Sequence, residues 1–86
     1  GKDKTSLAVY ARNKPGSLMA LIEPFARLGV GLSKLESRPA RSGSWEYVFF
    51  IDLEGHYKEE KVVEAMRLAA EQALSLKVLG SYPVAL

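Results

Sequence analysis

The stretch from position 45 to 54 reads W-E-Y-V-F-F-I-D-L-E. Trp45, Tyr47, Phe49, Ile51 and Leu53 take the odd positions, while Glu46, Asp52 and Glu54 stand among the even ones. Successive side chains of a strand point to opposite faces, so this alternation lines one side of a sheet with apolar groups. The odd face must meet a core. Val48 and Phe50 make the middle of the even face apolar too, so part of that face is expected to be covered as well.

How large a core can close over such a strand depends on the chain available. The 86 residues are read as a single domain, 1–86, and an apolar fraction of 48% is ordinary for a globular protein. There is no cysteine, which excludes disulfides, cysteine nucleophiles and thiolate metal sites. The core must suffice by itself or be completed by oligomerisation. A net charge of +2 is mild, and both signs are mixed along the chain, without the basic block that tracks phosphates. No apolar run approaches the ~20 residues of a membrane span. The polar start Gly1-Lys2-Asp3-Lys4 does not resemble a signal peptide. A cytoplasmic domain with no membrane contact is expected, and its abrupt start suits a piece of a longer protein.

Around the strand at 45–54 the remaining elements fall into order. In residues 5–12, Leu7, Val9 and Ala11 share one side of a strand. Asn13-Lys14-Pro15-Gly16 breaks it with turn chemistry. A helix follows with Leu18, Leu21, Ile22 and Phe25 as its apolar stripe. Pro24 lies inside that helix and should remove one backbone bond and kink it. Gly29 stands where a left-handed cap belongs. A second strand at 31–38 cannot bury Val30, Leu32 and Leu35 by strict alternation, so a bulge or sharp twist is expected near Ser33. Residues 40–44 read as a hairpin loop. Gly55-His56-Tyr57 turns into a second helix, about 58–75, buried through Val62, Ala65, Met66, Ala69 and Ala73. A last strand spans 77–84. The order strand–helix–strand–strand–helix–strand predicts an α+β, ferredoxin-like βαββαβ sandwich. It has a four-stranded antiparallel sheet, two helices on one face, and the first and third strands in the centre.

Catalysis finds little support in these residues. One histidine, His56, with no cysteine cannot make a structural zinc site, and its turn position reads as solvated. No serine sits in a G-x-S-x-G elbow. Glu36, Glu46, Asp52 and Glu54 read as solvated carboxylates rather than an acid–base pair. No cofactor, metal or enzymatic role of its own is expected. Nucleic-acid binding of the RNA-recognition type would need Trp45 and Tyr47 facing solvent as a stacking platform. The same parity would bury Glu46, Asp52 and Glu54, so that reading fails as well.

Amino-acid binding fits better. The Pro15-Gly16 turn is expected to leave N–H groups of Ser17, Leu18 and Gly16 free at a helix N-terminus, a setting that attracts a carboxylate. Gly16 and Ser17 are small enough for close approach, and Asn13 offers a donor and an acceptor at the rim. The same residues serve equally as plain turn and capping residues. Glu36 and Arg38 serve equally as a surface pair on an exposed strand.

Lys14-Pro15-Gly16-Ser17-Leu18, then Glu23-Pro24-Phe25, then Glu36-Ser37-Arg38-Pro39 resemble the ACT regulatory domain of prephenate dehydratase. The likeness extends to Trp45-Glu46-Tyr47-Val48-Phe49-Phe50 and to Leu79-Gly80-Ser81-Tyr82-Pro83, and so covers essentially the whole chain. The resemblance implies a C-terminal regulatory domain of a longer enzyme. Such a domain binds L-phenylalanine and transmits feedback inhibition to the catalytic domain of the parent chain. It further implies a homodimer through ACT–ACT pairing, with the ligand at the interface. One protomer is to contribute Gly16, Ser17 and Leu18, and the other Glu36, Ser37, Arg38 and Pro39. Asn13 matches the polar residue before the turn. Leu32 and Ser33 complete the expected ligand-binding set, with Leu18 and Leu32 enclosing the ring. Ser17 stands where the family usually has Ala, and Ile22 where it has Leu. The alternative is a dimerisation module that binds no ligand.

Overall fold

The computed structural model describes residues 3–12, 14–39 and 46–83. Asn13, the hairpin loop expected at 40–44, Trp45 and the end of the last strand at Val84 lie outside the described residues. The chain runs β1 (Asp3–Arg12), α1 (Ser17–Arg27), β2 (Leu32–Pro39), β3 (Glu46–Glu54), α2 (Glu60–Glu71) and β4 (Ser75–Pro83). The strands form one antiparallel sheet in the order β2-β3-β1-β4. This is the ferredoxin-like arrangement, with the two most apolar strands in the centre.

Register explains where the core sits. Leu7 pairs with Ile51, Thr5 with Leu53 and Val9 with Phe49, so these positions share one face of the sheet. Leu21 and Phe25 of α1 and Val62, Ala65 and Ala69 of α2 pack onto that same face in one cluster. Among the described residues no helix packs on the even face. Ala8 and Val48 are nonetheless buried there, and the Arg38 guanidinium lies 6.0 Å from the centre of the Phe50 ring. Long side chains of the sheet itself thus cover part of its apolar middle.

The expected irregularity in β2 is present. Leu32 pairs with Leu53, but Lys34 pairs with Asp52, which leaves Ser33 as the extra residue. The bulge turns both Leu32 and Leu35 toward the helices, which strict alternation could not do. α1 closes in a Schellman motif. Val30 N–H donates to the Phe25 carbonyl at 2.8 Å and Gly29 N–H to that of Ala26 at 3.2 Å, with Gly29 at φ 73°. Pro24 is buried inside α1, which continues through it to Arg27.

Two boundaries differ from expectation. α2 is shorter than 58–75, and β4 begins at Ser75 rather than at 77. The reason is tertiary. Leu74 N–H donates to the Tyr10 carbonyl at 2.7 Å, so the chain has joined the sheet where helical periodicity alone would let α2 run on. At the other end, Lys58 N–H donates to His56 Nδ1 and His56 N–H to Glu59 Oε2, which holds residues 56–59 in a turn. On the exposed face of α2, Arg67 bridges Glu64 and Glu71. The hydrogen bond from Arg67 holds the Glu64 carboxyl below its ordinary range.

Thr5 is the buried polar residue of the core. Its hydroxyl donates to the Gly55 carbonyl at 2.7 Å, which leaves its oxygen to accept from Ser81 Oγ at 2.7 Å. Ser81 in turn accepts from Tyr57 N–H at 3.2 Å. The chain of bonds ties β1, β4 and the turn before α2 together. Thr5→Val keeps the shape but leaves the Gly55 carbonyl without its donor. A loss of about 1–3 kcal/mol is expected in chemical denaturation; an unchanged midpoint would mean that the network contributes nothing.

Candidate functional site

β1 ends at Arg12, and the next described feature is a tight turn. Ser17 N–H donates to the Lys14 carbonyl at 3.1 Å, with Pro15 and Gly16 between them. Gly16 has φ 82° and ψ −6°, the third-position geometry of a type II turn, which a residue with a Cβ enters only under strain. Gly16 also caps α1, since its carbonyl accepts from Ala20 N–H at 3.0 Å. No side chain among the described residues caps the helix, and no acidic residue stands in its first turn. The positive end of the helix dipole is therefore uncompensated there. One expectation needs correction: the Ser17 amide is occupied by the turn and is not a free donor. The amides of Gly16 and Leu18 remain of the expected set.

The start of α1 faces the helix side of the sheet across a cleft of about 350 Å³. Gly16, Ser17, Leu18 and Met19 form one wall, and Tyr47 and Phe49 of β3 form the other. Ser37 of β2 closes one side, and Arg12 and Lys14 stand at the turn. Register explains this grouping. Ser37 pairs with Phe49 and Pro39 with Tyr47, so both serine and proline are on the helix side, while Ala11 pairs with Tyr47 from β1.

The expected binding residues are divided by the sheet. Gly16, Ser17, Leu18 and Ser37 come together in a single chain. Glu36 pairs with Phe50 and Arg38 with Val48, which places both on the even face. There they border a second hollow of about 400 Å³ with Lys34, Phe50, Asp52 and Tyr82. Glu36 is flanked by Lys34 at 3.4 Å and Arg38 at 3.8 Å, all well exposed. Pro39 is exposed at the end of β2, Ser33 occupies the bulge, and Leu32 packs against the core, so none of the three lines the cleft. Asn13, expected at the rim, lies outside the described residues.

The cleft also contains residues that the sequence did not single out: Arg12, Lys14, Met19, Tyr47 and Phe49. Lys14 sits inside the turn motif, and Arg12 just before it, so proximity alone could have drawn attention to both. Tyr47 and Phe49 are recognisable only once the register is known. Among the described residues the lining holds two cations and a helix N-terminus but no carboxylate. Its chemistry suits a ligand with an anionic end and an apolar body. Among the described residues no group of three His, Cys, Asp or Glu side chains is placed to hold a metal ion. His56 accepts a backbone bond through Nδ1 and stacks on Tyr57 with ring centres 4.6 Å apart, which is a turn-forming role.

No family model matches the chain. Over 85 residues it is 52% identical to a bifunctional chorismate mutase/prephenate dehydratase of Pseudomonas aeruginosa, a match covering 99% of this chain and 23% of that protein. The chain spans about a quarter of the length of the curated relatives it matches. A solved prephenate dehydratase from Arthrobacter aurescens, in complex with L-Phe, matches with a TM-score of 0.85 at 36% identity. That match covers 95% of this chain and 27% of the other. GqqA, described as a novel type of quorum quenching acylase, matches with a TM-score of 0.91 at 26% identity, over 96% of this chain and 30% of its own.

Proposed function

Given that this chain matches the C-terminal region of bifunctional chorismate mutase/prephenate dehydratases and the regulatory domains of prephenate dehydratases, we propose that it is a non-catalytic sensor of L-phenylalanine. Residues 1–86 form a single ACT regulatory domain of a longer cytoplasmic enzyme, and ligand binding carries feedback inhibition to its catalytic domain. The observation that carries this reading is the cleft at the start of α1. Arg12, Lys14 and the helix N-terminus meet a carboxylate, and Leu18 and Tyr47 meet a ring.

An amino acid also brings an ammonium group, and the cleft of one chain has no carboxylate to receive it. Glu36 of a second copy would supply one. Pairing of two copies is favoured by β2, an edge strand exposed from Ser33 to Pro39, with one row of backbone groups unpaired by the sheet. In that arrangement ligand binding stabilises one dimer geometry, and by linkage the catalytic domain responds to it.

A thermal-shift series over the twenty amino acids tests the reading. Phenylalanine at 100 times its dissociation constant should stabilise the chain by about 2.7 kcal/mol. For a domain of this size that corresponds to a rise on the order of 10–20 °C. A flat response to millimolar phenylalanine in a dimeric sample would instead favour a dimerisation module that binds no ligand.

A further inference from the structure

We infer that Tyr47 sets the ligand preference of the cleft, by presenting its ring as the surface on which an aromatic ligand packs; this rests on the amino-acid-sensor reading above. Two aromatic residues of β3 reach the cleft, and they differ in what they have left to offer. Phe49 is only 8% exposed, and its ring is committed to the core. Tyr47 is half-buried, packs against the core and lines the cleft. The two rings lie 6.4 Å apart and 27° from parallel, so Phe49 packs beside Tyr47 on the same face of β3.

Position adds to this. Tyr47 pairs with Ala11 at the end of β1 and with Pro39 at the end of β2. It therefore stands at the end of the sheet where the turn delivers Gly16 and the first residues of α1. A ligand whose carboxylate lies at the helix N-terminus has its side chain directed along the wall that includes Tyr47. Met19 lines the same space from α1 and is 65% exposed, so its side chain is available to a ligand there. Its unbranched thioether adapts to ring edges and contributes favourable sulfur–aromatic contact. A wall made of a half-buried tyrosine ring and an exposed methionine discriminates by aromaticity more than by size.

Titration calorimetry on the 86-residue chain tests the inference with three proteins and three ligands. Wild-type chain is expected to bind L-phenylalanine more tightly than L-leucine, and roughly 2- to 10-fold more tightly than L-cyclohexylalanine, which has similar bulk but no π system. Tyr47→Leu should lower phenylalanine affinity by the same roughly 2- to 10-fold while leaving leucine affinity nearly unchanged. Tyr47→Phe, which keeps the ring, should behave as wild type. Equal binding of phenylalanine and cyclohexylalanine by the wild type overturns the inference without relying on any variant's folding. So does a Tyr47→Leu variant that loses both amino acids in equal proportion, the result of a purely structural role. A wild-type chain that binds none of the three ligands overturns the sensor reading itself, and the role of Tyr47 with it.

Discussion

Phe25→Ala is expected to lower the unfolding free energy by about 3–5 kcal/mol. Phe25 is wholly inaccessible, and it heads the fully buried side chains by volume. It belongs to one buried cluster with Leu21 of its own helix, Val30 beyond the helix end and odd-numbered residues of the central strands. Its carbonyl also receives the bond that closes the Schellman motif, so the surrounding backbone has little freedom to collapse into a void. A domain of this length holds about 4–13 kcal/mol in total. The substitution therefore removes a large share of that stability, and at physiological temperature a substantial fraction of the chain should be unfolded. Urea denaturation should show a much lower midpoint at an unchanged slope. A loss below about 1 kcal/mol would mean that α1 does not pack on the sheet as described.

A matched pair of substitutions in β3 should separate the two faces of the sheet even more sharply. Ile51 is inaccessible, with Leu7 and Leu35 beside it in register. Ile51→Asp puts a carboxylate where nothing can solvate it, at a cost of several kcal/mol, and should leave no cooperative unfolding transition near neutral pH. Burial raises the folded-state pKa of such a carboxyl, so any folded population should be largest in acid and fall as pH rises. Phe50→Asp moves the same charge by one residue. Phe50 is half-buried on the even face, with the Arg38 guanidinium close to its ring and Glu36 opposite it in register, so the new carboxylate meets water, a cation and one like charge. The expected loss there is about 1–2 kcal/mol. Circular dichroism melts of the two variants side by side provide the comparison. Equal destabilisation would contradict the assignment of odd positions to the core.

Those two variants also mark how far sequence reasoning reaches. Period-two alternation from Tyr47 to Leu53 was legible because a sheet with helices on one face imposes that pattern directly. The bulge at Ser33 was legible for a related reason: Leu32 and Leu35, of opposite parity, could not share one face without it. The turn at Lys14–Ser17 was legible from Pro15 and Gly16, whose backbone preferences are local. The ends of α2 and β4 were not. They depend on Leu74 donating to Tyr10, a bond between residues far apart in the chain, and no local preference encodes it.

The cleft divides along the same line. Gly16, Ser17 and Leu18 could be named from the chain alone, since a tight turn running into a helix positions them whatever the rest does. Which residues stand opposite them was a tertiary matter. Before the bulge in β2 the even position Leu32 faces the helices; after it the odd positions Leu35 and Ser37 do. One extra residue at Ser33 thus decides that Ser37 joins the cleft while Glu36 and Arg38 go to the other face. Tyr47 enters the site only through its pairing with both Ala11 and Pro39. The sequence by itself determined the elements, their order and the apolar face of each, because those follow from local periodicity and turn chemistry. Register, and with it the composition of the site, was settled by the three-dimensional pairing of strands, because a one-residue shift exchanges every side chain between the two faces of a sheet.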